Sequence, residues 1–295
     1  MIDRSAAKTL FCFGLGYSAE RLARALRAEN WRVRGTVRDA ARAERLKALG
    51  FEMHSFDGTR ALADRGALDA ATHVLLSIPP DATGDPALKF HRDSFARGKA
   101  LQWLGYFSTT GVYGDRGGAW VDENDDLRPS SARARQRVEA ERAWLDLQRE
   151  SGVAVHIFRL PGIYGPGRSA FDQLRAGTAK RIDKPGQFFS RIHVDDIAGA
   201  LRASIARPNP GAVYNVCDDE PAPASDVVAF AAHLLGVEPP PLEPYEPDRL
   251  TPMAASFYQD NRRVRNARLK AELGYVLRYP TYREGLRAIL ASRHG

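Results

Sequence analysis

A short glycine-containing segment near the start of the sequence has the residue types and spacing needed to bind phosphate. Gly14, Gly16 and Ala19 form a G-x-G-x-x-A pattern between an apolar run, Thr9–Phe13, and an amphipathic stretch. The first glycine permits a tight turn, the second lets the backbone approach a pyrophosphate, and the small third residue allows close helix–strand packing. The pattern predicts a dinucleotide at a helix N-terminus, where N–H groups favour anions, and a purely structural turn is the alternative. Two neighbours complete the predicted cofactor contacts: Tyr17 and Ser18.

The end of the second predicted strand bears on which dinucleotide is bound. An NAD(H) site usually carries an acidic residue there to hold the ribose 2′-hydroxyl. Here Arg38 follows the last strand residue, and its guanidinium suits a 2′-phosphate, with Thr36 and Arg42 as further contacts. Asp39 leaves NAD(H) as the alternative cofactor, because a shift of the strand end by one or two residues would place an acid there. The sequence therefore favours NADP(H) over NAD(H).

Two later strand ends are also placed to meet a dinucleotide. Asp57, after the third predicted strand, is positioned to approach an adenine amino group. Ser77, Ile78 and Pro79 follow the fourth predicted strand, where a dinucleotide would pass towards its nicotinamide. For both segments a structural role is the alternative.

The elements that must position these residues alternate along the first 160 residues. Short apolar runs predicted as strands are separated by longer amphipathic stretches predicted as helices. The predicted strands are Thr9–Phe13, Trp31–Val37, Phe51–Phe56, His73–Ile78, Gln102–Ser108 and Val153–Arg159. The predicted helices are Ser18–Glu29, Ala40–Leu49, Pro86–Lys99 and Pro129–Glu150. Strands that alternate with helices imply βαβ units and a parallel sheet.

The pattern after residue 160 is less regular. It predicts one strand, helical regions and a proline-rich extended loop. The strand is Ala212–Val216, the loop is Val237–Pro247, and the helical regions are Arg191–Ile205 (after a strand end), Ala224–Leu235, Arg263–Glu272 and Arg283–Ser292.

Composition limits the classes of protein to which the chain can belong. Its 295 residues, 44% hydrophobic and 27% charged, fit a globular protein and exclude a disordered or fibrous one. The net charge of +7 is spread along the sequence, which favours a small anionic ligand over nucleic acid as the main partner. The N-terminal residues lack the pattern of a signal peptide, and no apolar run is long enough to span a membrane. Because there are only two cysteines, we expect a reduced, cytoplasmic setting.

Three ordered motifs, together with the glycine turn, resemble the extended short-chain dehydrogenase/reductases, also called NAD(P)-dependent epimerase/dehydratases. The motifs are STTGVYG at 108–114, RLPGIYGPG at 159–167 and RIHVDDIA at 191–198. The resemblance covers nearly the whole chain and implies a Rossmann-type doubly wound parallel sheet, a smaller C-terminal α/β substrate domain and a ligand cleft between them. It places the dinucleotide-binding domain at 1–164, with helix 191–208 returning to it, and most of the substrate domain at 165–295. It adds Ser108, Arg135 and Pro161 to the predicted cofactor-binding residues.

The catalytic pattern of that family is matched only in part. The family's catalytic hydroxyl falls on Thr109, with Ser108 and Thr110 beside it. The family's Tyr-x-x-x-Lys pair is absent, because spacing places Ser131 at the tyrosine position and Arg135 at the lysine position. None of the ten tyrosines has a lysine four residues later. This departure resembles the atypical, YeeZ-like group, which keeps the nucleotide fold without that tyrosine.

Other residues are candidates for the missing acid/base and for substrate contacts. Tyr113 and Tyr164 are the candidate catalytic tyrosines. His193 has a suitable unperturbed pKa, but it opens a helix that Asp195 or Asp196 is expected to cap, so a structural role is favoured. Three arginines fall where the resemblance places substrate-facing surface: Arg168, Arg191 and Arg263.

Two functions remain open from the sequence. The first is an epimerase/dehydratase-like oxidoreductase that uses NADP(H) in preference to NAD(H), acts on a small anionic or sugar-type substrate and has a non-standard acid/base. The alternative is a non-catalytic NADP(H)-binding sensor or scaffold, because binding survives the loss of a proton relay. The seven histidines are scattered without metal-ligand spacing, so no metal is expected. A homodimer is compatible with the sequence.

Overall fold

The computed structural model describes residues 8–292, and for 252–254 it describes the backbone alone. Residues 1–7, which the prediction about a signal peptide includes, lie outside the described residues. The strands are β1 Thr9–Phe13, β2 Arg32–Val37, β3 Glu52–Ser55, β4 His73–Leu76, β5 Trp103–Thr109, β6 Trp120–Val121, β7 Val155–Leu160, β8 Gly162–Tyr164, β9 Arg181–Asp183, β10 Arg191–His193, β11 Val213–Asn215, β12 Leu242–Pro244 and β13 Arg263–Val264.

Helices connect these strands. They are α1 Tyr17–Ala28, α2 Ala40–Ala48, α3 Gly66–Asp69, α4 Pro86–Arg97, α5 Ala132–Ser151, α6 Ala170–Arg175, α7 Val194–Ala206, α8 Ala224–Leu235, α9 Pro252–Phe257, α10 Ala267–Leu273 and α11 Tyr282–Ala291. Two short 3₁₀ helices cover Thr110–Tyr113 and Pro247–Arg249.

Seven strands form a parallel sheet in the spatial order β3-β2-β1-β4-β5-β7-β11. β1 lies between β2 and β4, with Leu10 opposite both Val33 and His73. The strand order reverses between β1 and β4, and in open parallel sheets the carboxyl ends at such a reversal are where ligands bind. The predicted Rossmann-type fold class is confirmed.

The inner strands of the sheet are buried on both faces. All five residues of β1 are buried, as expected for a central strand covered by helices on both sides. Phe11 and Phe13 pack in a core with Trp144 of α5 and Tyr106 of β5. α8 has the predicted bounds and ends at Gly236, whose left-handed conformation (φ 66°) favours glycine.

The described residues divide into two compact units. Unit 1 comprises 8–108, Arg135–Arg159 and Ala198–Tyr214, and unit 2 comprises Thr109–Ala134, Leu160–Ile197 and 215–292. The predicted dinucleotide-binding domain, 1–164, includes the stretch Thr109–Ala134 that belongs to unit 2. The predicted domain boundary stays a prediction.

Unit 2 contains short elements that the sequence analysis did not predict. The pairs β8–β10, β9–β12 and β6–β13 each form a two-stranded parallel sheet. β12 lies inside the proline-rich stretch predicted as an extended loop. A proline is tolerated there because β12 is an exposed edge strand. The single helical region predicted over Arg263–Glu272 is instead β13 followed by α10, since Val264 is buried opposite Val121. A core around Phe171, Tyr282 and Leu286 stabilises this unit.

No helix within the described part of the chain is both long and apolar enough to span a membrane.

Candidate functional site

The glycine turn after β1 is held from both neighbouring strands. The N–H of Gly14 donates to Oγ1 of Thr36 (2.9 Å), and the hydroxyl of Ser77 donates to the carbonyl oxygen of Gly14 (2.8 Å). Gly14 has a φ of 83°, and a β-carbon there would lie 2.7 Å from Cγ2 of Ile78. Thr36 is buried, so its hydroxyl supports the turn and does not face a 2′-phosphate as the sequence suggested. Thr36 and Ser77, both predicted to touch the cofactor, therefore shape the backbone that would bind it.

The second glycine leaves open space at the N-terminus of α1. Gly16 has an extended backbone, and a β-carbon on it would meet no atom closer than the carbonyl oxygen of Gly14, at 4.0 Å. No side chain caps this helix at Gly16. Ala19 is fully buried beneath the turn, Ser18 is buried and Tyr17 is half-buried. The arrangement fits a pyrophosphate, because it combines unfilled space with the positive end of a helix dipole.

Positive charge is concentrated beside the end of β2. Glu20 of α1 accepts hydrogen bonds from Arg24 (2.7 Å), Arg45 (2.9 Å) and Arg42 (3.3 Å). Burial opposes ionisation of Glu20, but the hydrogen bonds and charges of Arg45 and Arg24 outweigh burial and lower its pKa. One carboxylate thus faces three guanidiniums, while Arg38 stands exposed at the strand end. The sequence analysis did not find Glu20 or Arg45, since their contact needs the fold.

Asp39 has a structural role at the start of α2. Its carboxylate accepts a 2.6 Å hydrogen bond from the backbone N–H of Arg42 and thereby caps α2. Because one carboxylate oxygen is engaged in the cap, Asp39 is less available to a ribose than the alternative strand register assumed.

The remaining predicted dinucleotide contacts in unit 1 lie at the surface or at strand ends. Asp57 is exposed, and hydrogen bonds from the backbone and side chain of Thr59 (2.9 and 2.7 Å) lower its pKa. Ile78 is half-buried and Pro79 is exposed. Contact of these residues with a dinucleotide stays a prediction.

Ser108 belongs to a buried network that the sequence analysis missed. Its hydroxyl donates to Glu141 of α5, which also receives a two-point contact from Arg159 of β7 (Nε–Oε1 3.1 Å, Nη2–Oε2 2.7 Å). The three residues are 5% or less exposed. The hydroxyl of Ser108 thus already has a charged partner, and the network fixes the end of β5 against α5.

The beginning of α5 holds the two residues that spacing aligns with the family's tyrosine and lysine. Ser131, predicted at the family's tyrosine position, accepts a 3.2 Å hydrogen bond from the N–H of Ala134 at the start of the helix. Arg135 is exposed on the helix surface. Two residues further on, Arg137 donates to the carbonyl oxygen of Phe107 (2.6 Å) and the hydroxyl of Tyr106 (3.0 Å). Arg137 is therefore the arginine that α5 brings towards the carboxyl end of β5.

In unit 2, Thr109 and Tyr113 of the STTGVYG motif have different environments. Thr109 is half-buried, and its Oγ1 accepts a 3.1 Å hydrogen bond from the N–H of Gly111. Tyr113 is fully buried and donates to Oδ1 of Asn215 (2.8 Å), whose own N–H donates to Glu123 (2.7 Å). Burial raises the pKa of Glu123. Tyr113 thus sits in an internal chain of hydrogen bonds, while Thr109 keeps its own hydrogen for another acceptor.

Tyr164 packs against α11. A β-carbon on Gly285 would lie 2.1 Å from the Tyr164 hydroxyl, and that hydroxyl is 3.4 Å from the carbonyl oxygen of Thr281. Burial, followed by the charge of Asp218, raises the pKa of Tyr164. Such a phenol stays protonated at neutral pH, which does not favour it as a base.

Arg191 does not lie on a surface as expected. It is buried and donates to the carbonyl oxygens of Ala222 (2.9 Å) and Glu220 (3.4 Å). Burial lowers its pKa, opposed by the charge of Asp218. We therefore leave Arg191 out of the proposed substrate contacts.

The other two predicted substrate arginines are accessible. Arg168 is exposed in the loop after β8. Arg263 donates to the carbonyl oxygen of Gly118 (2.7 Å), and its guanidinium lies over the rings of Trp120 (5.2 Å) and Phe188 (4.9 Å). Pro161, expected at the cofactor, is half-buried.

His193 is enclosed by aromatic rings. It is 1% exposed, and its ring contacts Tyr279 and Tyr164 edge-on at 4.2 and 5.2 Å between centroids. Asp196, expected as a possible helix cap, instead accepts from the hydroxyl of Tyr275 (2.8 Å) and the N–H groups of Arg278 (2.6 Å) and Tyr279 (3.0 Å). The HVDD segment thus anchors the loop before α11, consistent with a structural His193. Among residues 8–292, no three or more His, Cys, Asp and Glu side chains are grouped to hold a metal ion.

Comparison with known proteins adds to this geometry. The sequence profile of the NAD dependent epimerase/dehydratase family matches residues 94–217. Protein YeeZ of Escherichia coli (strain K12) is 30% identical over 246 residues, which is 79% of this chain and 86% of YeeZ. The 3-diazoavenalumate denitrifying reductase of a Streptomyces species is 27% identical over 308 residues, covering 95% of this chain and 99% of the reductase.

A solved structure is more similar still. A functionally unknown conserved protein from Silicibacter pomeroyi DSS is 50% identical, with a TM-score of 0.90, and the match covers 97% of this chain and 99% of that one. The match therefore includes residues of both units.

Proposed function

The chain belongs to the NAD dependent epimerase/dehydratase family, and on that premise we propose that it is an oxidoreductase that uses NADP(H) in preference to NAD(H). In this proposal the substrate is a small anionic or sugar-type molecule, and the acid/base group differs from the family's usual tyrosine. The family accounts for the dinucleotide and the general class of reaction. The preference, the substrate and the acid/base come from this chain's own residues.

The observation that carries the proposal is the glycine turn. Gly14 is held at both its N–H and its carbonyl oxygen, and Gly16 leaves open space at the start of α1. A bound dinucleotide would supply a nicotinamide that gives or accepts hydride. The chain's part is to hold the pyrophosphate through Gly14, Gly16, Tyr17, Ser18 and Ala19.

The preference for NADP(H) rests on charge at the end of β2. Arg38 is exposed and Asp39 is engaged in a helix cap, so a guanidinium is the group presented to a 2′-substituent. Arg42 and Arg45 add positive charge nearby through their shared partner Glu20. A guanidinium pairs with phosphate by charge-assisted hydrogen bonds, whereas a ribose hydroxyl offers no charge to complement it.

Thr109 is the proposed catalytic hydroxyl. It is half-buried and retains its hydrogen for an acceptor, unlike Tyr113, whose hydrogen goes to Asn215. Tyr113 and Tyr164 remain in the proposal as groups that help shape the substrate side, together with Arg168 and Arg263. Arg137 is proposed in place of Arg135 as the arginine that supports the end of β5.

Calorimetric titration of nucleotide-free protein with NADP(H) and with NAD(H) tests the proposal. We expect NADP(H) to bind more tightly, followed by substrate-dependent oxidation of NADPH in a screen of carbonyl compounds. Tighter NAD(H) binding would overturn the assignment of Arg38, and absence of binding by either would overturn the proposed function.

A second function has its own observation. Ser131, which spacing places at the family's catalytic tyrosine, accepts a hydrogen bond from the N–H of Ala134 at the start of α5. This favours, as the alternative, a non-catalytic NADP(H)-binding sensor or scaffold. Tight NADP(H) binding without turnover across the substrate screen would select it. Both cysteines are buried thiols, which suits the cytoplasmic setting included in the proposal, and size measurement in solution would test for a homodimer.

A further inference from the structure

The short sheet formed by β6 and β13 has one buried and one exposed face. Val264 lies opposite Val121 in the register of the two strands, and both residues are 2% exposed. Arg263 lies opposite Trp120, and the N–H of Arg265 continues the ladder by donating to the carbonyl oxygen of Val121 (2.9 Å). Successive side chains of a strand point to opposite faces. The face opposite the two valines therefore displays one tryptophan and two arginines.

Both arginines lie against the ring of Trp120. The guanidinium carbons of Arg263 and Arg265 are 5.2 and 4.9 Å from the centroid of that ring. Arg263 also lies 4.9 Å from the ring of Phe188 and donates to the carbonyl oxygen of Gly118 (2.7 Å). Among the residues that the structure describes, neither guanidinium has a carboxylate partner. Two positive charges thus share one aromatic ring, and an anion bound beside it would reduce their mutual repulsion.

Asn261 holds the loops around this face in place. Its side chain accepts from the N–H of Phe188 (3.0 Å) and donates to the carbonyl oxygen of Gly186 (2.8 Å). Its own carbonyl oxygen accepts from the N–H groups of Arg116 (2.9 Å) and Gly118 (3.0 Å). The two segments that contact Arg263 are therefore fixed before a ligand arrives, which lowers the conformational entropy lost on binding.

These groups are complementary to an aromatic ring that carries a carboxylate. A guanidinium pairs with a carboxylate through two parallel hydrogen bonds, and an exposed tryptophan ring stacks on another ring. Because Arg265 is 4.9 Å from the centroid of Trp120, the charge of the ligand must lie next to its ring. A benzoate-like acid meets this condition, whereas in a nucleotide a ribose separates the base from the phosphate. Three side chains are also too few for a protein partner, whose interface takes about 20–30 residues a side.

We propose that Trp120, Arg263 and Arg265 bind the substrate and that the substrate is an aromatic carboxylate. This inference rests on the proposed oxidoreductase function and narrows its small anionic or sugar-type substrate to an acid with a planar ring. The carboxylate pairs with the two guanidiniums, and the ring of the substrate stacks on Trp120.

Titration of the ¹⁵N-labelled protein with benzoate tests the site without turnover. The indole N–H signal of Trp120 is the readout, and Trp120→Phe identifies that signal by removing it. Trp120 is 38% exposed, whereas the other three tryptophans of the chain are 7% exposed or less. We expect a saturable shift of the Trp120 signal. Arg265→Gln should raise the dissociation constant by about tenfold or more, which corresponds to about 1.4 kcal/mol.

Further ligands and one variant separate the contributions of charge and ring. Benzamide keeps the ring without the charge, and cyclohexanecarboxylate keeps the charge without the aromatic ring. Each should bind about fivefold more weakly than benzoate, or weaker still. Inorganic phosphate, which has no ring, should also bind more weakly. Arg278→Gln is the matched control, because the Arg278 guanidinium lies over the ring of Tyr279 (5.3 Å), and it should leave the dissociation constant of benzoate unchanged.

The inference is overturned if benzoate causes no saturable shift of the Trp120 signal, or if Arg265→Gln leaves the dissociation constant unchanged. Binding of benzamide, cyclohexanecarboxylate or phosphate as tightly as benzoate overturns it as well. The same spectra separate these outcomes from failure of the proposed function, since dinucleotide binding is followed at the amide of Gly16 in unit 1. Absence of that response alone would sink the proposed function, and absence of the response at Trp120 alone would sink the aromatic-acid site.

Discussion

The hydroxyl of Ser77 donates a 2.8 Å hydrogen bond to the carbonyl oxygen of Gly14, although 63 positions separate the two residues. Gly14 follows β1 and Ser77 follows β4, so the bond joins the ends of the two strands at which the sheet order reverses. We expect this bond to hold a backbone carbonyl oxygen away from the proposed pyrophosphate. Ser77 thereby sets which backbone groups the turn presents.

Ser77→Ala should therefore weaken dinucleotide binding. Loss of the bond leaves the carbonyl oxygen of Gly14 with the N–H of Gly16 (2.8 Å) as its donor, at a cost of about 1 kcal/mol, which is roughly a fivefold rise in dissociation constant if the turn reorients. Calorimetric titration measures the constant. Ser151→Ala is the matched control, because that hydroxyl also donates to a backbone carbonyl, that of Leu147 (2.7 Å). An unchanged constant in Ser77→Ala would show that the bond stabilises the fold alone.

Arg38→Gln should change cofactor preference. Removing a charged contact to a 2′-phosphate costs about 1.5–3 kcal/mol, so NADP(H) binding should weaken by roughly tenfold to a hundredfold. NAD(H) binding should stay the same because NAD(H) has no such phosphate. Arg32→Gln on the same strand is the control, since Arg32 is exposed and pairs with Glu52 (3.4 Å). Equal losses for the two dinucleotides would refute the role of Arg38.

Thr109→Val should abolish turnover and leave dinucleotide affinity unchanged. The substitution keeps the shape of the side chain but removes its donor. Thr109→Ser restores a hydroxyl and should recover much of the activity, which a purely structural role would not require. Steady-state kinetics with the substrate found by screening, together with calorimetry, provide the two readouts. Turnover by Thr109→Val at the wild-type rate would remove this hydroxyl from the mechanism.

The regular elements of unit 1 were predictable because their apolar periodicity is strong. Thr9–Phe13 was predicted with the bounds that β1 has, and α8 in unit 2 was likewise predicted from Ala224 to Leu235. In both cases local pattern and tertiary burial agree. Strands of two or three residues, such as β6 and β13, contain too few positions to show a period.

The contacts that matter for the site were harder to predict. The sequence motif identifies Gly14 and Thr36, but only the fold shows that the Thr36 hydroxyl binds the turn. Spacing places Arg135 at the family's lysine, and only the fold shows that Arg137, two residues further on, donates to the carbonyl oxygen of Phe107.

Glu141→Gln should be strongly destabilising. Glu141 and Arg159 have side chains only 3% and 5% exposed, so the substitution leaves a buried guanidinium without its counter-charge. Breaking one partner of a buried ion pair costs about 3–5 kcal/mol. Urea denaturation measures the free energy of unfolding. Glu150→Gln is the control, since Glu150 pairs with Arg92 at the surface, where such pairs contribute about 0–1 kcal/mol. Similar small losses in both variants would contradict the assigned importance of the network.

Asp218→Asn should become more stable relative to the wild type as pH rises. Asp218 is 1% exposed, and burial raises its pKa well above the usual value near 4, although the charge of Arg191 opposes the shift. The folded state thus binds a proton that the unfolded chain releases, so the wild type loses this stability as pH rises through the raised pKa. Asparagine resembles the neutral acid and does not ionise.

Urea denaturation at several pH values from 4 upward provides the measurement for Asp218. The difference in unfolding free energy, variant minus wild type, should increase with pH. Asp226→Asn, at an exposed position of α8, controls for the loss of one carboxylate. A difference that is flat or falls with pH would show that Asp218 is ionised in the folded protein.

The cap that Asp39 forms on α2 has a consequence for redesign of this protein. The acid nearest to the proposed 2′-phosphate contact is also the residue that starts the helix bearing Arg42 and Arg45. Replacing Asp39 to alter cofactor preference would remove the cap of α2 and displace both arginines. Cofactor affinity and folding stability would therefore change together. Arg38 has no such second role in the helix. We therefore expect that substituting Arg38 would change the cofactor preference while leaving the fold intact.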